Sequence, residues 1–142
     1  MFASTFHYSI DDKGRLSIPS AYRDLLRRMK LPEQLYLTLS LDQRPAIWAY
    51  PLDRFQEVIG RMADDPGDQD FFRKVMAATH LCLIDKQCRV VVPGFLRGHA
   101  GITRDVTIVG VGKRFDVWDR ARYQDYERRE LAAVKPPTQM LR

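Results

Sequence analysis

The chain has 142 residues, a net charge of +5, 45% apolar residues and 29% charged residues. That is one ordinary domain, or two small ones sharing a core, with enough apolar material for a packed interior. No run approaches the ~18 consecutive apolar residues of a membrane span. The N-terminal MFASTFHYSIDDKGR lacks the basic region and apolar core of a signal peptide. Two cysteines, Cys82 and Cys88, are too few for a disulfide framework and read as reduced thiols.

Charge is unevenly placed. Lys and Arg outnumber Asp and Glu six to three over residues 1–30 and twelve to seven over 81–142, whereas 31–80 holds five against eight. Phe6, Tyr8 and Ile10 alternate with His7 and Ser9, the period of a half-buried strand. Asp11-Asp12-Lys13-Gly14 reads as a hairpin turn, with glycine accepting a positive φ. Leu16 and Ile18 resume the alternation until Pro19, which has no N–H for a ladder and suits the first turn of a helix. A helix over about Ser20–Met29 follows, with Tyr22, Leu25, Leu26 and Met29 on one face. Strands are expected at Leu35–Leu39 and Ala46–Tyr50. The stripe Leu52, Phe55, Val58, Ile59 and Met62 then marks a helix, and Asp68–Ala78 a second one carrying Phe71, Phe72, Val75 and Met76.

From Leu81 the first pattern returns: strand Leu81–Ile84, turn Asp85–Cys88, strand Arg89–Val92, Pro93, and a helical turn to His99. Strands at Val106–Val109 and Arg114–Trp118 and a final helix complete it, and Lys135-Pro136-Pro137-Thr138 reads as a frayed tail. Ile10–Arg23 (IDDKGRLSIPSAYR) and Ile84–Arg97 (IDKQCRVVVPGFLR) are copies of one block, 74 positions apart. Ile10, Asp11, Arg15, Pro19 and Arg23 fall on Ile84, Asp85, Arg89, Pro93 and Arg97. Such an internal duplication sets the architecture. The expected layout is a first repeat at 5–52, a helical connector at 53–80, a second repeat at 81–124, and a C-terminal helix and tail at 125–142. Four short strands bury little surface alone, so the two units are expected to pair into one pseudo-symmetric, mainly β body of the α+β class, decorated by helices.

The duplicated Asp-x-x-x-Arg turn, followed by alternating apolar residues and Pro, resembles the DNA-binding unit of the AbrB/SpoVT swapped-hairpin class. Two copies at this spacing, with an N-terminal Met-Phe, Gly98-His99-Ala100-Gly101 and Phe115-Asp116-Val117-Trp118-Asp119, resemble the MraZ family of bacterial transcriptional regulators. The resemblance covers all but about the last ten residues. It implies a double swapped-hairpin, AbrB-like β-barrel and closed rings of subunits. It also implies binding of double-stranded DNA at G-rich direct repeats upstream of the division and cell-wall genes. It further implies association with the nucleoid. The reduced thiols and the short apolar runs lead to the expectation of a cytoplasmic protein with no membrane contact, and no cofactor and no enzymatic activity are expected. The DNA contacts the resemblance carries over are Asp11, Lys13 and Arg15 in the first copy, and Asp85 and Arg89 in the second.

Arginine reads guanine O6 and N7 through two parallel hydrogen bonds. A carboxylate four residues earlier across a tight turn can hold that fork at a fixed angle, while Lys13 suits phosphate. The competing reading is a structural Asp11–Arg15 ion pair that only closes the hairpin. The second copy has Gln87 for Lys13 and Cys88 for Gly14; cysteine at a positive φ is unfavourable, so a turn of different shape and a weaker contact are expected there. A ring-forming interaction scaffold and an antitoxin-like member of the same fold class are the alternatives.

Other constellations carry less. His80, Cys82, Cys88 and His99 include no C-x-x-C, and no metal centre is expected. Gly110-x-Gly112-Lys113 lacks the Walker spacing and reads as a place where strands approach or turn, with Lys113 and Arg114 as a lesser phosphate-binding option. Ser17 and Ser20 belong to no nucleophile motif. Trp48 and Trp118 read as core or subunit interface.

Overall fold

A computed structural model describes residues 1–65, 67 and 69–141. The first run of elements is β1 (Thr5–Ser9), β2 (Arg15–Ser17), α1 (Ser20–Arg28), β3 (Gln34–Leu39), β4 (Ala46–Tyr50) and α2 (Leu52–Ala63). After α3 (Gln69–Ala78), the second run is β5 (His80–Leu83), β6 (Arg89–Val91), α4 (Gly94–Ala100), β7 (Asp105–Gly110), β8 (Phe115–Asp119) and α5 (Arg120–Arg129). Beyond α5 the chain forms 3-10 turns at Leu131–Ala133 and Thr138–Leu141, with 134–137 between them exposed and without regular structure. No described helix is long and apolar enough to cross a membrane.

Six strands form one antiparallel sheet in the order β1-β7-β8-β4-β3-β5, and β2 pairs with β6 in a separate two-stranded ribbon. The order is symmetric about the β8–β4 junction, as a duplicated unit requires. The tight turns at 11–14 and 85–88 are present, but the strands beside each do not zip onto one another. β1 lies on β7, from Thr5↔Val109 to Ser9↔Asp105, and β5 lies on β3, from Leu37↔His80 to Gln34↔Leu83. Each repeat therefore lends its first strand to the other, and the plain hairpin read from residues 6–18 survives only as the single bridge Ile10↔Leu16.

The closed barrel is a correction. The sheet is open, with β1 and β5 as edges, and the ribbon does not join them. Pro19 and Pro93 follow closely on β2 and β6, which are only three residues each. Proline has no N–H to extend a ladder, so the ribbon is too short to bridge the two edges.

The main core fills the space between the sheet and the ribbon with α1 and α4. Leu16, Leu26, Leu35, Leu37, Ile47, Val90, Val92, Leu96, Ile108 and Phe115 are all fully buried there. The opposite sheet face carries two aromatic clusters, Trp118 with Tyr123 and Trp48 with Tyr50 and Phe55. This two-sided cover explains why β4 reads AIWAY with every residue buried, since alternation needs one wet face. Both tryptophans are thus core. Within the predicted helix stripes, Phe55 and Val75 are buried, whereas Met29 and Met76 stay exposed.

Two N-terminal features had no assigned role in the sequence. Phe2 is buried, packs edge-on against Tyr22 and Phe115, and exchanges backbone hydrogen bonds with Gly112. The Tyr22 hydroxyl donates to the Ala3 carbonyl at 2.7 Å, and burial pushes its pKa up to about 12. Gly110 is where the N-terminal segment crosses, because a Cβ there would collide with the Ala3 backbone. Gly110 thus serves close strand approach, and Gly112 a left-handed turn at φ +80°. Arg114 is likewise committed to the fold: its guanidinium lies 3.4 Å over the Trp48 ring, and its Nε donates to Asp116 Oδ1 at 3.0 Å.

Burial outweighs that arginine and raises the Asp116 carboxyl to about 6. A group whose folded pKa lies above its unfolded value stabilises most below the unfolded value, and that contribution disappears as pH rises through the folded one. Folding stability should therefore fall between about pH 4 and pH 6 through Asp116. Asp116→Asn should flatten that segment of a denaturant-derived stability profile; an unchanged slope would refute the assignment.

Candidate nucleic-acid interface

The two Asp-x-x-x-Arg turns use each carboxylate oxygen for a different task. In the first turn Asp11 Oδ1 accepts from the Lys13 and Arg15 backbone N–H groups at 2.9 and 2.8 Å. Asp11 Oδ2 accepts from Arg15 Nε at 2.5 Å. Backbone bonds Asp11 N–H to Arg15 O and Gly14 N–H to Asp11 O complete the turn. The hydrogen bond from the Arg15 backbone N–H, followed by the Arg15 side chain, holds the Asp11 carboxyl below its ordinary range.

Closure of the turn does not depend on the guanidinium. The hairpin is closed by backbone donors, which any residue at position 15 except proline supplies. The guanidinium is surplus to closure, and an exposed ion pair contributes only about 0–1 kcal/mol to stability. Asp11 engages Nε alone, so among the described residues neither terminal nitrogen of Arg15 has a partner within the chain. The guanidinium is held by its carboxylate through Nε, on a side chain that is 37% exposed.

The second turn repeats the frame. Asp85 Oδ1 accepts from the Gln87 and Arg89 backbone N–H groups at 2.8 and 2.9 Å, which lowers the Asp85 pKa. Its guanidinium sits differently: Nε is 3.5 Å from Asp85 Oδ2, an ion pair without a hydrogen bond, while Nη2 donates to Gln87 Oε1. One arm of the Arg89 fork is therefore occupied.

The expected change of turn shape is corrected. Cys88 takes φ +60° where Gly14 has +79°, with the same closing bonds. The difference is absorbed next door. A Cβ on Gly14 would lie 3.0 Å from the Val92 carbonyl and 3.3 Å from the Arg97 guanidinium, which donates to that carbonyl. Arg23, the counterpart of Arg97, instead extends toward Glu33 at 3.8 Å, and the Cys88 thiol donates to Ile18 O at 3.2 Å. Gly14→Ala should therefore lower stability by about 1–2 kcal/mol through its left-handed backbone, read by denaturant unfolding. A loss below a few tenths would refute the crowding.

Both arginines belong to one surface. In the ribbon Arg15 faces Val91, Leu16 faces Val90 and Ser17 faces Arg89. Leu16 and Val90 point into the core, so Arg15, Ser17, Arg89 and Val91 share the outward face. Arg15 and Arg89 are diagonal neighbours, about 7–8 Å apart at Cα. A two-stranded ribbon of this kind fits the major groove of B-DNA. Lys13 sits at the tip of the first turn.

Lys86 was missed from sequence. It replaces Asp12, so the lysine of the turn moves by one position instead of disappearing. Residues 11–15 hold two acids and two bases, whereas 85–89 hold one acid and two bases. Comparing the charge of the whole turns, instead of single positions, would have found it. Lys86 borders a surface hollow with Arg23, Arg27, Glu33, Ile84 and Asp85. The metal-type side chains are not brought together: among the described residues no group of three or more His, Cys, Asp or Glu could hold an ion. Burial alone raises the Cys82 thiol to about 11.

Comparison with known proteins agrees with this two-part organisation. A family model described as "MraZ protein, putative antitoxin-like" matches twice, at residues 1–74 and 75–142. The chain is 33% identical over 127 residues to the transcriptional regulator MraZ of Lachnoclostridium phytofermentans, covering 87% of this chain and 85% of the relative. It is 35% identical over 131 residues to that of Limosilactobacillus fermentum, covering 89% and 87%. It is 32% identical over 148 residues to that of Pseudoalteromonas translucida, covering 96% and 94%. With its duplicated block, exchanged strands and whole-chain similarity, the protein belongs to the MraZ family.

Proposed function

We propose that this chain is a sequence-specific DNA-binding transcriptional regulator whose ribbon enters the major groove and whose Arg15 reads guanine. The observation that carries this reading is the division of labour in Asp11. One oxygen closes the turn through backbone N–H groups, and the other orients a guanidinium the fold does not otherwise need. Asp11, Lys13 and Arg15 form the principal contact, with Lys13 toward phosphate. Asp85 and Arg89 form a secondary one because Gln87 occupies one arm of the fork, while Lys86 supplies a phosphate-seeking charge. The names of the relatives describe regulators and not enzymes.

A single chain offers few cationic contacts, so its own affinity is low. The reading therefore includes a homo-oligomeric ring that aligns several copies of the ribbon on one DNA. Head-to-tail subunits present their ribbons in one direction, which matches G-rich direct repeats in a promoter of division and cell-wall genes. Linked contacts then raise avidity by orders of magnitude when the spacing fits. Such a protein acts in the cytoplasm, at the nucleoid.

The test is a mobility shift with duplexes from immediately upstream of the protein's own gene, carrying one or several copies of the repeat, across a KCl series. Binding should weaken steeply with salt, with a log–log slope near −0.9 per neutralised phosphate, and several copies should bind far more tightly than one. Equal affinity for one copy and several would refute the arrayed arrangement, and no shift at low salt would favour a protein-only scaffold.

A further inference from the structure

The ribbon's outward face holds a residue that guanine reading leaves without a task. Val91 lies directly across the ladder from Arg15 and is 58% exposed, between buried Val90 and Val92. Cross-strand partners point to one face with Cβ atoms about 4.5–5.5 Å apart. The counterpart of Val91 in the first copy is Ser17, across from Arg89. The two rungs of a pseudo-symmetric ribbon thus differ in chemistry. One pairs arginine with a branched apolar side chain, and the other pairs arginine with a hydroxyl.

An apolar side chain stabilises a fold by leaving water, and Val91 does not leave it. Valine is also stiff at χ1, so the face presents a preorganised methyl pair beside an oriented guanidinium. In the major groove of unmodified DNA only thymine offers an apolar group, its 5-methyl. Successive base pairs rise by about 3.4 Å, so one rung spans neighbouring base pairs.

We propose that Val91 is a specificity-determining residue that contacts the 5-methyl of a thymine in the base pair beside the guanine read by Arg15. This rests on the DNA-binding reading of Arg15 given above. The Arg15–Val91 rung then reads a two-base step of guanine and thymine. Ser17 beside Arg89 both donates and accepts, so the second rung discriminates less. Unequal rungs give the ribbon one preferred orientation on its site, where identical rungs would accept both.

The test is a cycle between protein and DNA. The upstream duplex is amplified with dTTP or with dUTP, from primers outside the bound region. Deoxyuridine keeps every pairing edge and removes only the methyl, and amplified DNA contains no 5-methylcytosine, so the methyl is thymine's. Wild type should bind the dUTP product about fourfold more weakly per contacted methyl. Val91→Ala and Val91→Ser should bind the dTTP product more weakly by a similar factor and bind the two products alike. Val91→Ala should keep the thermal midpoint and native oligomeric mass of wild type. The proposal is overturned if Val91→Ala retains the full dUTP penalty, since the methyls are then read elsewhere. It is equally overturned if the substitution changes the native mass, which would make Val91 a subunit contact. Arg15→Ala run in parallel distinguishes the levels: if it binds like wild type, the underlying DNA reading falls as well. Arg15-dependent binding with an additive Val91 cycle removes this inference alone.

Discussion

Arg15→Ala should weaken binding to the upstream duplex by about 5- to 150-fold for each engaged turn. That range is the 1–3 kcal/mol of a bidentate arginine–guanine contact expressed as affinity. Where several subunits engage one DNA the losses multiply, so a multi-copy site should show no shift at protein concentrations that saturate with wild type. Folding should be nearly untouched. The closing bonds of the turn run from the backbone of residues 13 and 15 to Asp11 Oδ1, and alanine retains them. Arg15→Lys should recover only part of the loss, because a point charge cannot form the planar double contact. Arg89→Ala should cost less than Arg15→Ala, since the Arg89 Nη2 already donates to Gln87. A mobility shift on the three variants, with circular dichroism to verify folding, decides the matter. If Arg15→Ala binds like wild type, the assignment of the reading turn is wrong.

Leu16→Ala should be the most damaging of the stability variants, at about 2–5 kcal/mol. Leu16 is fully buried in the middle rung of the ribbon, opposite Val90, and bridges to Ile10 at the mouth of the turn. Its side chain fastens both Asp-x-x-x-Arg turns to the core through a ladder only three residues long. Removing it leaves a cavity that the ribbon, held at both ends by proline, collapses into poorly. Guanidinium unfolding at fixed protomer concentration measures the loss, because self-association of the kind proposed above would make apparent stability concentration-dependent. A change below 1 kcal/mol would show that the ribbon is not packed on the core. DNA binding should decline in parallel even though Leu16 touches no base.

Much of this molecule is legible along the chain because its determinants are local. Pro19 and Pro93 end strands and open helices whatever surrounds them. The turn at 11–14 falls where its glycine puts it, at a positive φ, and the apolar run at 46–50 is a strand buried on both faces. The 74-residue shift displayed the symmetry before any strand was paired. Cys88 was misjudged because a positive φ costs a side chain about 1–3 kcal/mol, an amount that neighbouring packing offsets. The displacement of Arg23 and the contact to Ile18 O are such packing, and neither is visible at position 88.

What the sequence by itself determined is the inventory: two copies of one block, two carboxylate–arginine turns, short proline-stopped strands, and a basic balance in the segment holding each copy. Strand pairing was decided only by the tertiary structure. β1 alternates identically whether it lies on β2 or on β7, because period and register with solvent are the same in both arrangements. The choice was made by length and burial: β7 offers five paired residues and a covered face, whereas the three residues of β2 offer almost none. The same non-local choice lays β2 on β6 and so brings Arg15 and Arg89, 74 positions apart in the chain, onto one surface.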